Sequence, residues 1–176
     1  MIALQETWLD EETMNEFRIP GYTLHLNSYG KGKGLAIYFK EDLFHHEIDI
    51  KEENIQISNF SSTHLNIIVI YRSQSGNLTK LKQHLEAITT RDKPELIIGD
   101  FNFDYTSSRS NPTNRYFEDH CYRQLINEPT HIEGNILDHA YCKDIQKINM
   151  YSAAVHCKYF TDHRGLAILV KQADKI

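Results

Sequence analysis

Leu96-Ile97-Ile98-Gly99-Asp100-Phe101-Asn102-Phe103-Asp104 is the stretch on which the reading of this chain turns. Three consecutive apolar residues read as a buried strand, and the glycine after them ends it. Polar and apolar residues then alternate. In an extended chain, residues two apart share a face. Asp100, Asn102 and Asp104 would then point one way, and Phe101 and Phe103 the other. A carboxylate and an amide at the end of a buried strand cost free energy unless they are paired. They suit a site that ligates a hard cation or positions a water. The alternative is a turn, since Gly-Asp and Asn are turn formers. These nine residues alone do not choose between the two.

The rest of the chain sets bounds on that choice. Its 176 residues suit one domain with a proper core. Hydrophobic residues at 40% and charged residues at 24% are ordinary for a globular protein. A net charge of −5 excludes a bulk polycation, so nucleic-acid affinity requires a local basic patch or metal ions. Cys121, Cys142 and Cys157 have no Cys-x-x-Cys spacing, which argues against a zinc ribbon or a disulfide framework. Met1-Ile2-Ala3-Leu4-Gln5-Glu6 does not read as a signal peptide, and no run approaches about 18 apolar residues. The expectation is an intracellular protein, nuclear if eukaryotic, neither secreted nor bound to a membrane.

Upstream of the opening stretch, Met1–Gln5 reads as a strand that ends at Glu6. Glu6 is either a site residue or a first-turn acid of the helix-like segment Asp10–Phe17. Pro20-Gly21 is a turn, and Tyr22–Leu26 alternates like a strand. Gly30-Lys31-Gly32-Lys33-Gly34 matches neither a Walker loop nor GxGxxG, so it reads as a hairpin tip before the strand Leu35–Phe39. Its lysines either meet phosphates or are simply solvated. His45–Ile50, Ile55–Phe60 and Leu65–Tyr71 are strand-like. His45-His46 invites a metal, but neighbours on a strand face opposite ways, so the pair reads as structural. Tyr71-Arg72 ends its β-branched strand much as Asp100 ends its own. Leu78, Leu81, Leu85 and Ile88 fall at helical spacing within Asn77–Thr90.

Downstream, Asn114–Ile126 shows a second helical pattern, with Tyr116, Phe117, Cys121, Tyr122 and Leu125 inward. Asn135–Tyr141, Ile145–Ala154 and Leu166–Val170 read as strands. Asp162-His163, before the last strand, is a site pair or a solvated capping pair. Lys31 and Lys33, with Arg72 and Arg109 near strand ends, would form a basic rim for a phosphate backbone.

Glu6, Tyr71, Asp100, Asn102, Asp138, Asp162 and His163 all fall at or beside strand ends, and two-layered sheet folds gather such ends at one rim. Together, Leu4-Gln5-Glu6-Thr7, Gly99-Asp100-Phe101-Asn102, Leu137-Asp138-His139 and Thr161-Asp162-His163 resemble the endonuclease/exonuclease/phosphatase superfamily. Within it, the chain looks most like the endonuclease domains of retrotransposons and other mobile elements, and like apurinic/apyrimidinic endonucleases. Glu128-Pro129-Thr130-His131 supports that subgroup. The resemblance runs from Leu4 to about Val170.

It implies a four-layered α/β sandwich, two mostly antiparallel β-sheets face to face with helices outside, as one domain over 1–176. It implies Mg²⁺-dependent phosphodiester hydrolysis, with Mn²⁺ as a substitute ion, and a monomer whose partner is DNA, or alternatively RNA. Glu6 resembles the metal-binding glutamate, and Asp162 a second metal contact. Asp100 resembles the aspartate that orients or deprotonates the attacking water, and Asn102 the neighbour that holds phosphate or water. Tyr71 resembles the active-site tyrosine. His163 resembles the histidine on the scissile phosphate, and Asp138 the aspartate that orients it. Three departures stand out. The family's first strand, which precedes the Leu-Gln-Glu strand, has no counterpart, so the domain reads as N-terminally truncated. No proline follows Tyr71, and Thr161 stands where serine is usual. The alternatives are an inactive relic that binds nucleic acid or protein, and a phosphatase acting on a lipid or small phosphoester.

Overall fold

The computed structural model describes residues 1–90, 93–106, 111–143, 149–156 and 161–172. The opening stretch forms the strand β7, Glu95–Asp100, near the middle of a six-stranded sheet. The strands before it are β1 (Ile2–Gln5), β2 (Thr23–Gly30), β3 (Lys33–Phe39), β4 (His45–Glu52), β5 (Ile55–Ser61) and β6 (Asn66–Arg72). After it come β8 (Arg123–Gln124), β9 (Asp138–Lys143), β10 (Asn149–His156) and β11 (Gly165–Gln172). The helices are α1 (Leu78–Ile88) and α2 (Pro112–Asp119).

The large sheet runs β4-β5-β6-β7-β9-β8, and its one parallel pair, β6 with β7, is joined through α1. Gly99 is required by that pairing. Its φ is +150°, and a Cβ there would lie 1.8 Å from the Ile70 carbonyl oxygen. The period-2 pattern of β6 sorts the core. Ile68 and Ile70 face Leu81 and Leu85 of α1 and Tyr116 and Phe117 of α2. Ile67, Val69 and Tyr71 face Leu35, Ile37 and Phe39 of β3.

The expected two sheets are three among the described residues: the large one, a three-stranded β1-β3-β2 sheet and a β10-β11 hairpin. Among the described residues β1 pairs only with β3 and β11 only with β10, and no described pairing joins these two edges. Between them opens a cleft of about 960 Å³. The architecture is mixed α/β with helices flanking sheet. Among the described residues both α-helices lie against one face of the large sheet, and the smaller sheets carry a 3₁₀ turn, Met14–Phe17, whose Phe17 carbonyl accepts from Tyr38.

Three sequence expectations are corrected. The strand ends at Asp100 and Asn102 has φ +50°, so Asp100, Asn102 and Asp104 do not share a strand face. Asp104 instead accepts from the backbone N–H groups of Thr106 and Ile136 and pins its loop. The helix expected over Asn114–Ile126 starts and ends earlier, Cys121 is exposed with φ +59°, and the tail of that segment is β8. The helix-like stretch Asp10–Phe17 shrinks to the 3₁₀ turn. Among the described residues no helix is long and apolar enough to cross a membrane.

Candidate active site

The parallel and antiparallel registers of β7 place three strand ends side by side. Asp100 sits opposite Tyr71 of β6 on one flank and Asp138 of β9 on the other. Because alternate residues of a strand face opposite ways, Tyr71 points to the cleft side of the large sheet. There its hydroxyl donates to Glu6 at 2.8 Å. Burial raises the Tyr71 hydroxyl far above its ordinary value, and the hydrogen bond to Glu6 adds to this, so it stays a donor. Glu6 follows β1 directly, at φ +53°. Non-glycine residues in this region are uncommon and concentrate at functional sites, and Glu6 and Asn102 are two of the three among the described residues.

Asp100 is 2% exposed. Asn102 donates to it twice, through its backbone N–H and its side-chain amide, each at 2.9 Å. Burial, followed by the neighbouring Asp138 charge, pushes the Asp100 carboxyl up to about 7. Asp138 lies 2.8 Å from Nδ1 of His163, which it orients. That hydrogen bond outweighs burial and lifts the His163 imidazole to about 9, so the ring is cationic at neutral pH. Ligand atoms of Asp100, Asp138 and His163 all lie within 4.8 Å of one another.

The loop before β11 is fixed by residues to which the sequence reading assigned no role in the site. Thr130, fully buried, accepts on its hydroxyl from the N–H groups of Leu137 and Asp138, and its carbonyl accepts from Arg164. His131 bridges to His163 and lies 3.5 Å from Asp162. The signal was the run Glu128-Pro129-Thr130-His131. His139 is buried and stacked on Phe101 at 4.7 Å, and burial lowers its imidazole to about 4, so it is a neutral core residue.

Two candidate metal clusters border the cleft, Asp100/Asp138/His163 and His131/Asp162/His163. Asp162 belongs to the second, and Glu6 to neither. Glu6 and Asp162 both line the cleft, but from β1 and from the loop before β11, whose strands do not pair. The sequence set them together as metal contacts, and the structure does not unite them in one ligand set.

The basic rim is altered. Arg72 is 3% exposed, and its guanidinium donates to the carbonyls of Phe101, Ser73, Gln74, Gly76 and Asn102. The alternation that brings Tyr71 to the cleft sends Arg72 to the other face, where it staples two loops instead of meeting phosphate. Lys31 is exposed at the hairpin tip. Lys33 pairs with Glu53 at 3.6 Å. Arg109 lies outside the described residues. Trp8, 70% exposed, sits against Gly32 of that tip two residues after Glu6, and the sequence reading gave it no role.

The model of the endonuclease/exonuclease/phosphatase family matches residues 1–163. The chain belongs to that family. Solved structures agree in fold. The endonuclease domain of TRAS1, a telomere-specific non-LTR retrotransposon, superposes with a TM-score of 0.67 at 15% identity, over 89% of this chain and 81% of that one. TDP2 of D. rerio, complexed with a single-stranded DNA product, gives 0.64 at 11% identity, over 97% and 85%. A mannosyl-6-phosphatase of Bacteroides thetaiotaomicron gives 0.58 at 14% identity, over 91% and 80%. No curated protein matches the sequence. The family therefore makes this chain a candidate metal-dependent phosphoester hydrolase, and the fold likeness spans nuclease and phosphatase relatives.

Proposed function

We propose that this protein is a metal-dependent endonuclease of mobile-element type that hydrolyses phosphodiester bonds in nucleic acid, DNA first. The observation that carries the proposal is the charge arrangement at the cleft. A buried carboxylate titrating near neutrality, Asp100, lies within a few ångströms of an imidazolium, His163, held by Asp138. A general base works best when its pKa is near the working pH. Asp100 takes a proton from water. His163, cationic, donates to a phosphate oxygen as charge builds there. Asn102 holds Asp100 in place through two donors. Tyr71 fixes the Glu6 carboxylate at the opposite lip.

Glu6, the exposed acid, would hold a Mg²⁺ ion by a hard carboxylate oxygen with the rest of its shell water, and Asp162, across the cleft, would be a separate contact. Bound there, it would supply neutralisation of phosphate charge. Lys31 and the exposed Trp8 ring, beside the Glu6 segment, supply a charge for the backbone and a face for a base.

The cleft between β1 and β11 bears on a competing reading, a protein that keeps the fold but does not cut. The four-layered, two-sheet sandwich would form if a further strand lay between those edges. The test is nicking of supercoiled plasmid in Mg²⁺, by this chain and by a version extended at its N terminus with one strand. RNA and a simple phosphomonoester serve as parallel substrates. Mg²⁺-dependent, EDTA-sensitive nicking by either version supports the endonuclease, and Asp100→Ala and His163→Ala should each lower it about 10²–10³-fold. Turnover of the monoester alone would indicate a phosphatase, and two folded but inert versions would refute the enzyme reading.

A further inference from the structure

His25 on β2 and His46 and Asp49 on β4 form a third cluster, and none of the three lines the cleft. Nε2 of His25 lies 3.1 and 2.9 Å from the two Asp49 oxygens, and Nε2 of His46 lies 3.0 Å from Oδ1. The ligand atoms of all three lie within 4.8 Å of one another.

The backbone is bent to make this possible. His46 and Asp49 are three apart, so a regular strand would turn them to opposite faces. The β4–β5 register slips between His46, opposite Phe60, and Ile48, opposite Asn59, leaving Glu47 as the extra residue of a β-bulge. Past the bulge Asp49 is opposite Ser58, on the same face as Phe60. Bulges re-aim side chains in this way. His45, on the other side of the strand, pairs instead with the exposed Glu47 at 2.7 Å.

Around the cluster lies a second layer. Ser58 is buried and donates to Asp49 Oδ1 at 2.6 Å. Asn27, 1% exposed, donates to Ser58 and to the carbonyls of Ile50 and Ile57. The Phe60 ring packs against both imidazoles, at 5.6 and 5.4 Å between centroids. The carboxylate is thus fixed by hydrogen bonds and both rings by packing, which is how metal ligands are oriented.

We propose that His25, His46 and Asp49 bind a zinc-class dication that clips the edge of the three-stranded sheet to the edge of the large one. Two imidazoles and one carboxylate suit Zn²⁺ and leave a fourth position for water. They do not suit Mg²⁺, which prefers oxygen. Ligand atoms about a tetrahedral zinc lie roughly 3.3 Å apart for bonds of 2.0–2.1 Å. The distances from Asp49 to the two ring nitrogens already approach that. For binding, each ring carries its proton on Nδ1, freeing Nε2. β2 and β4 are the edge strands of their sheets, so the ion would join two layers at an edge where the Asn27 hydrogen bonds already cross between them.

The test is ZnCl₂ alone, added to the EDTA-treated full chain, with bound zinc per chain measured by equilibrium dialysis and Tm by calorimetry. Co²⁺ serves as a visible-absorption probe of tetrahedral ligation. One zinc equivalent is expected to survive in His163→Gln and to vanish in His46→Gln and in Asp49→Asn, together with the tetrahedral Co²⁺ bands. Tm should rise with free Zn²⁺ in the wild type and less in those two variants, and Mg²⁺ in excess should not compete. Circular dichroism establishes that the variants are folded, and Asp49→Asn keeps an acceptor for Ser58 should His46→Gln misfold. Equal zinc binding by wild type and His46→Gln, or loss only in His163→Gln, would overturn the site.

Discussion

Replacing Asp100 by Asn should remove activity and make the metal-free protein more stable. The magnitude follows from the site. Burial and the Asp138 charge raise this carboxyl from an ordinary value of 3.8 to about 7. Below about pH 4 the group is protonated in both states and costs nothing. Between about 4 and 7 the unfolded chain ionises while the folded one does not, so folding stability falls as pH rises. Above 7 the loss is complete. At about 1.4 kcal/mol per pH unit the penalty reaches roughly 4 kcal/mol. Two terms subtract from the gain on substitution. Asn can accept only one of the two hydrogen bonds from Asn102, a loss of about 1 kcal/mol. The attraction to cationic His163 also disappears. A net stabilisation of about 2 kcal/mol at pH 8 remains, shrinking toward zero or reversing at pH 4. Urea unfolding in EDTA at both pH values reads it directly. A variant less stable than wild type at pH 8, or a difference independent of pH, would refute the account of a strained buried acid. Trading stability for a functional group is a common pattern at active sites.

Three further outcomes are expected. Asp138→Asn leaves an oxygen that can accept from Nδ1 but removes the charge behind the hydrogen bond that lifts His163 to about 9, so His163 should lose its proton at lower pH and the alkaline limb of the nicking profile should move down. An unmoved limb would detach His163 from that limb. Arg72→Ala should destabilise the fold by about 3 kcal/mol in denaturant titration, through the loss of its five hydrogen bonds to loop carbonyls, while Lys31→Ala should leave stability alone and flatten the salt dependence of DNA binding. A flatter salt dependence in folded Arg72→Ala would return that residue to the rim. Gly99→Ala should yield little folded protein, since its Cβ would overlap the Ile70 carbonyl; near-normal expression and Tm would show that the β6–β7 contact yields.

The sequence by itself determined most of the strands, α1, the family and the placement of Glu6, Tyr71, Asp100, Asp138 and His163 at or beside strand ends. These are local signals. Short β-branched runs such as Leu96–Ile98 and Leu65–Tyr71, bounded by turn residues, read as buried strands, and acids at their ends stand out because burial without a purpose is costly. Tertiary structure decided what depends on facing and register. Tyr71 and Arg72 are adjacent in the chain and read alike as strand-end residues, yet the pleat gives one to the cleft and the other to a loop carbonyl cage. Asp104 left the site because the backbone takes a positive φ at Asn102, beyond the reach of an alternating pattern. His46 read as structural because adjacent histidines face apart, which holds. No pattern in the chain announces that a bulge at Glu47 turns Asp49 to the same face, or that His25, more than twenty residues earlier, lies on the strand opposite. A site assembled across two sheets exists only once both sheets have packed, so its geometry is set by tertiary contacts that leave no periodic trace in the sequence.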